Sequence, residues 1–485
     1  MKKTLSALLF VLLFSAPLTS ALAGDGLAPI KASDVTGAAP APRAPRAAPR
    51  APLAPKNWTV LYYSTTKDAL RYSLIWQLLE MKKTGSTAKV NVVVQAAFPV
   101  KHADGSISTT TYRLALGAPG NSDQLDAKIE AMFKAGGAID ESVVAELKDD
   151  IIWQQESTDT GDWRAAADFT KWAKTYYPAS RYVFLIYGHG NGIFDQKKKP
   201  TEKGTLMDVE TGNYVTLPEM RLLMAETGRV DAFVMTSCIM QMGEVAWQIK
   251  DYTDVVVGSS ELMWSVGYDV GGMLKTLNKS ASVPSEQLGS LIAGSYVDMA
   301  KQFKLKGAHA SVIRTAQLSA FGKKLDAWVD AQLALNDRTA IDKAIPLVSR
   351  FDIFGVTLSS TGAAASRISI SGDLYDFVSL TLENTPQDTP AQQAVHKTGR
   401  ELMDFIAKNL IYKYYSTGMS NSGFDFTRAH GLSVHVPPVR MIGGSWDAFS
   451  QYLETDYWTL PFAKETKWGA FLNYLYGRTP APVRR

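Results

Sequence analysis

An α/β fold, with a mainly parallel β-sheet flanked by helices, follows from two features of the sequence. Short apolar runs alternate with helical stretches from Trp58 to Gly258, and that alternation argues parallel strands covered on both faces. Two of the runs end in chemically useful side chains. Tyr182–Tyr187 leads into Gly188-His189-Gly190-Asn191-Gly192, and Val230–Ser237 leads into Cys238, the sole cysteine. Sites in open α/β sheets form beyond the carboxyl ends of the strands, where both residues are expected.

Taken in order, residues 1–23 read as a secretory signal: Lys2 and Lys3, an apolar core from Leu5 to Leu18, and Ala21-Leu22-Ala23 before Gly24. Residues 24–56 are rich in Pro, Ala and Arg, which build no core and favour an extended, disordered linker. Ordered structure is expected from Asn57. Trp58–Tyr63 reads as a strand. Leu70, Leu74, Leu78 and Met81 then share one helical face that stops near Gly85. Val90–Val94 and Thr111–Leu116 are two further strands, and Ala165, Phe169, Trp172 and Tyr176 mark a helix ending before Pro178. A helix over Leu217–Thr227 precedes the strand to Cys238. A second, with Ile239, Met242, Ala246 and Ile249 inward, is expected to open at Cys238 and run to Lys250, before the strand Asp254–Gly258.

The α/β core is thus assigned to residues 57–280 and a helix-rich C-terminal region, packed on it, to residues 281–485. That region carries helices over Pro284–Phe303, Gln317–Leu335, Asp373–Asn384 and Ala391–Leu410, interrupted by strand-like Ala310–Ile313 and Gly431–Val436.

Composition excludes several functions. There is no run of 18 or more apolar residues after the leader, so no transmembrane segment is expected. Loss of Lys2 and Lys3 with the leader brings 51 basic residues close to 47 acidic ones, and no basic stripe suggests nucleic acid. One cysteine permits no internal disulfide and is too few for soft metal ligation, and no Gly-Lys-Ser/Thr phosphate loop follows the glycines, so no metal or cofactor is expected. The protein is expected to be exported, to the periplasm or the medium, and to be a monomer.

A thiolate attacks a peptide carbonyl, and a helix N-terminus beside Cys238 together with a nearby imidazole would favour that form. His189 is the expected acid/base. The N–H groups of Gly190 and Cys238 are placed to hold the oxyanion. His430 repeats the His-Gly pair but precedes its strand, His435 lies within a strand, and His102, His309 and His396 have no supporting context.

The sequence resembles the clostripain family of cysteine peptidases. The resemblance is carried by Trp58-Thr59-Val60-Leu61, Gly161-Asp162, the His189 block, Ser237-Cys238-Ile239-Met240 with Glu244-Val245-Ala246, Gly258-Ser259-Ser260-Glu261, Asp373–Phe377 and Gly431–Val434. It implies a caspase-like fold and a Cys238–His189 dyad with no obligatory third member, acting on protein or peptide substrates. Members that cleave after Arg or Lys usually carry an aspartate where this chain has Thr236, so a basic preference would need another charge, from Glu261 or Asp269. Thr236, Ser260 and Glu261 are the candidate substrate-binding residues. Cleavage between the histidine and the cysteine is common in the family, and Lys203-Gly204 is the candidate bond. The alternative function is a catalytically inactive envelope or surface-binding protein that keeps the fold.

Overall fold

The computed structural model describes residues 51–117, 139–193, 205–353, 368–419, 425–438 and 457–477. The expected signal peptide, nearly all of the linker and Lys203 lie outside these residues. The N-terminal part runs β1 (Lys56–Ser64), α1 (Arg71–Lys82), β2 (Val90–Lys101), β3 (Ile107–Ala115), β4 (Ile139–Asp140), α2 (Glu141–Leu147), β5 (Ile151–Glu156), α3 (Trp163–Tyr176) and β6 (Ala179–Tyr187). It continues through α4 (Leu217–Thr227), β7 (Val230–Thr236), α5 (Gly243–Ile249), β8 (Thr253–Gly258), α6 (Val270–Lys279), α7 (Ser285–Gln302), β9 (His309–Arg314), α8 (Leu318–Leu335) and α9 (Thr339–Ala344). The remainder is β10 (Arg350–Ile353), β11 (Ile368–Asp373), α10 (Leu374–Asn384), α11 (Pro390–Phe405), β12 (Ile411–Ser416), β13 (Ser433–His435), α12 (Pro461–Glu465) and α13 (Trp468–Leu475).

The expected mainly parallel sheet is present. Its strand order is β12-β9-β8-β7-β6-β1-β2-β3-β5, with β4 paired to β2. The five central strands, β8, β7, β6, β1 and β2, are parallel, β4 pairs parallel with β2, and the β8–β9, β9–β12, β2–β3 and β3–β5 pairs are antiparallel. Alternate side chains feed two cores, as the pleat requires. Leu61, Tyr63, Phe184, Ile186, Phe233 and Met235 pack with α3, α4, α5 and α8 on one face. Val60, Tyr62, Val183, Leu185, Ala232 and Val234 pack with α1, α6 and α7 on the other. A sheet buried on both faces explains why these strands read as continuous apolar runs.

Local chemistry fixes the helix starts. Asp162 caps α3 by accepting from the Arg164 N–H, and Thr216 with Glu219 forms a reciprocal capping box on α4.

Three differences from the sequence reading bear on the site. The helix after Cys238 begins at Gly243, not at Cys238, so the cysteine sits in a turn five residues earlier. Second, β9 and β12, both beyond residue 280, extend the central sheet, so core and C-terminal region share one sheet. Third, β10, β11 and β13 form a small antiparallel sheet of their own. The Ser433 N–H at the start of β13 donates to the Gln241 carbonyl at 3.3 Å, which ties this second sheet to the turn after Cys238.

Candidate active site

The parallel pairing of β6 and β7 sets the geometry. Tyr187 is opposite Thr236 in the register, so His189 and Cys238 each lie two residues past a matched pair of strand ends. The two turns then touch through their backbones. A Cβ on Gly190 would sit 2.5 Å from the Cys238 carbonyl oxygen and 2.8 Å from Ser237 Cβ, so only glycine fits. Gly192, at φ 59°, meets Ile239 and Met242 in the same way. The glycines of the histidine block are therefore required by contact with the cysteine turn.

Cys238 is half-buried, and its sulfur accepts an N–H from Met263 at 3.3 Å. The expected support from a helix N-terminus is not what the structure provides. A helix dipole acts within its first turn, and Gly243 opens the helix well beyond the thiol. Ile239, next to the thiol, adopts φ 61°, a left-handed conformation that costs a β-branched residue about 1–3 kcal/mol. Its N–H donates to the Glu261 carbonyl at 3.2 Å, and that contact helps to hold the turn in its strained form.

Beneath the turn, Gln241 Nε2 reaches the Ser311 carbonyl at 3.0 Å and the Ser311 hydroxyl at 2.9 Å. The Gln241 main-chain carbonyl accepts from the Ser260 hydroxyl at 2.9 Å. Ser260 is fully buried, so its side chain supports the turn from below instead of facing a substrate. Thr236 is also buried, and a Cβ on Gly267 would lie 2.5 Å from its methyl. Glu261 is buried on the segment bonded to the cysteine turn, and its Oε1 accepts from the Leu262 N–H at 3.0 Å. Asp269 is committed elsewhere: it caps α6 through the Gly272 N–H.

His189 Nε2 lies 2.5 Å from Asp68 Oδ2. Asp68 was not anticipated from the sequence. It stands four residues past the end of β1, the strand on the other side of β6. Cys238, His189 and Asp68 thus follow three consecutive strands of the sheet, β7, β6 and β1. An acid just past a strand neighbouring the histidine strand was the available signal, but it required the strand order.

The other five histidines have separate roles. His102 pairs with Glu141 and Ser108 at the surface. His309 is enclosed by the rings of Phe351, Tyr414 and Phe426, and burial pushes it down to about 3. His396 bonds the Thr385 carbonyl, and His430 stacks on Tyr375. His435 is buried between Ile370 and Tyr476, and burial again pushes it down to about 3.

One further acid, on α5, is fully buried. Glu244 on α5 accepts from the His435 N–H at 2.8 Å and the Tyr457 hydroxyl at 2.9 Å, and burial raises it to about 7. No group of three or more His, Cys, Asp or Glu able to hold a metal ion occurs among the described residues, and no described helix is long and apolar enough to cross a membrane.

A half-buried thiol beside a histidine strand end, in a mainly parallel sheet flanked by helices, is the arrangement of a caspase-like cysteine peptidase. The chain belongs to the clostripain family, whose profile matches residues 123–475. Its fold is similar to that of a secreted C11 cysteine protease from Bacteroides thetaiotaomicron, solved with an irreversible peptide inhibitor. That likeness has a TM-score of 0.55 and 16% identity, covering 83% of this chain and 98% of the other. It is also similar to an inactive zymogen C11 protease from Parabacteroides distasonis, with a TM-score of 0.52 and 13% identity over 85% of this chain and 99% of that one. No curated protein matches the chain significantly.

Proposed function

We propose that the protein is an exported cysteine endopeptidase in which Cys238 attacks the scissile carbonyl and His189 protonates the leaving amine. The observation that carries this reading is the β6–β7 register, which brings the two side chains to equivalent positions past neighbouring strand ends. The Met263 N–H directed at the sulfur adds a donor that favours the thiolate. In the reaction, Cys238 yields its proton to His189, the sulfur forms the acyl-enzyme, and the imidazolium delivers that proton to the amine. Water, deprotonated by the same imidazole, then releases the acid. The backbone N–H groups of Gly190 and Cys238 hold the oxyanion, where one donor is typically worth about 10²–10³ in rate.

The residue before the cleaved bond is selected by charge from Glu261. Thr236 carries no charge to neutralise a cation, Ser260 is turned beneath the site, and Asp269 caps a helix. Residues 1–23 act as an export signal and 24–56 as a spacer, and cleavage after Lys203 is the candidate maturation step. Cofactors have no part in this chemistry.

Peptide electrophiles bearing Arg, Lys, Ala or Asn at the cleavage position test the reading directly. Covalent labelling that maps to Cys238 and disappears in His189→Ala supports it. A Cys238 that none of them labels, before or after limited proteolysis, would overturn it in favour of a non-catalytic binding protein.

A further inference from the structure

Asp68 makes more contacts than its local role requires. Its Oδ1 accepts the Leu70 N–H at 3.0 Å, which closes the turn before α1. Its Oδ2 is directed instead across the rim of the sheet, to His189 Nε2 at 2.5 Å. Both side chains are about one-quarter exposed, at 27% and 23%. A pair that open to water typically contributes about 0–1 kcal/mol, so fold stability is a poor reason for it.

The chain nonetheless fixes this carboxylate firmly. The preceding residue, Lys67, is buried, and its ammonium bonds Asp208 at 2.7 Å, Glu210 at 2.9 Å and the Thr158 carbonyl at 2.9 Å. At the end of β1 the Thr65 N–H donates to the Tyr187 carbonyl at 3.2 Å, holding the loop against the histidine strand. The loop carrying Asp68 is thus clamped on both the sheet side and the far side.

We propose that Asp68 is the positioning residue of the site, holding the His189 ring through Nε2 so that Nδ1 serves the thiol and the leaving amine. The proposal rests on the peptidase reading for its catalytic meaning. The carboxylate fixes the ring orientation and stabilises the imidazolium formed when Cys238 gives up its proton; it remains ionised throughout and transfers no proton itself. Of the ionisable groups nearby, Tyr187 at the end of β6 interacts with Asp68 and Cys238, and Tyr296 on α7 with Cys238 and Glu261. Both tyrosine hydroxyls are bonded in the structure, Tyr187 to the Ser265 carbonyl and Tyr296 to the Trp264 N–H.

The test compares the full-length wild-type protein with Asp68→Asn and Asp68→Glu. Asn keeps the shape and removes the charge, but it has one acceptor oxygen: with Oδ1 on the Leu70 N–H, its amide NH2 faces His189 Nε2 in place of the second carboxylate oxygen. Two readouts are measured against pH: alkylation of Cys238 by iodoacetamide, and hydrolysis of a peptide. The expected result for Asp68→Asn is alkylation about tenfold slower near neutrality, converging with wild type at alkaline pH where the thiol ionises unaided. For hydrolysis, kcat falls about 10²-fold with KM little changed. Glu restores much of both. Equal alkylation profiles in wild type and Asp68→Asn overturn the proposal, as does a uniform loss at every pH, which marks a merely structural residue. A wild-type protein that alkylates at Cys238 but cleaves no peptide overturns the peptidase reading instead, while the alkylation profiles still decide the role of Asp68.

Discussion

The Lys67 ammonium lies 2.7 Å from the Asp208 carboxylate, and neither side chain is exposed to water. Burial alone would raise the Asp208 carboxyl, but Lys67 and the Thr160 N–H outweigh it and hold the group below its usual range. Such a pair is expensive to break, because the surviving charge stays buried. Lys67→Met should destabilise the protein by about 3–5 kcal/mol, and Asp208→Asn by a comparable amount. The double variant should lose less than the sum of the two. Denaturant unfolding of all three proteins measures this, and simple additivity would show that the ion pair does not couple the two residues.

Glycine at position 190 is set by contact with the cysteine turn. In Gly190→Ala the new methyl must push against the Cys238 carbonyl, shifting the proposed nucleophile by a fraction of an ångström or more. A displacement of that size typically lowers turnover about 10²-fold. Hydrolysis should fall by this order while circular dichroism stays close to wild type. Full activity in the alanine variant would mean that the two turns separate freely.

Glu244 gives the protein a predictable pH response. Its folded value is about 7, raised by burial from an ordinary 4.5. A raised acid contributes stability that is fully present below about 4.5 and lost as pH rises through about 7. Gln keeps an acceptor for His435 and Tyr457 without titrating. Glu244→Gln should therefore show a flatter stability profile between pH 4.5 and 7, and a higher melting temperature than wild type at pH 8. Parallel melting curves across that range would remove Glu244 from the account.

Glu261 is expected to set substrate choice. In Glu261→Gln, labelling of Cys238 by electrophiles bearing Arg or Lys should slow at least about tenfold relative to one bearing Ala, the loss that follows when a charged partner is removed from a desolvated site. An unchanged ratio would assign the preference to some other group.

The two strand ends were legible because each is a continuous apolar run stopped by glycine or by a reactive side chain. His189 and Cys238 could therefore be singled out as candidates from Tyr182–Gly192 and Val230–Cys238 alone. The start of the following helix was misjudged because Ile239, Met242, Ala246 and Ile249 do keep helical spacing. Tertiary contacts override that periodicity: Ile239 is held at positive φ by its bond to Glu261, and the Gln241 N–H goes to the Ser259 carbonyl. Asp68 and Gln241 were invisible for a different reason. Each owes its role to a partner more than 60 residues away, His189 or Ser311, and a lone polar residue carries no periodicity. β10, β11 and β12 were missed because Arg350–Ile353, Ile368–Asp373 and Ile411–Ser416 mix polar with apolar residues and none is a continuous apolar run, and β12 follows α11 and its extra turn without a breaker.

The order of strands settles what proteolysis can do to this molecule. A scission anywhere from residue 193 to residue 205 would place β1 through β6 on one polypeptide and β7 through β13 on the other. Their seam is the β6–β7 ladder at the middle of a single sheet, with apolar layers bridging it above and below. Two bands on a denaturing gel would therefore run as one particle on a sizing column, with the imidazole donated by one fragment and the sulfur by its companion.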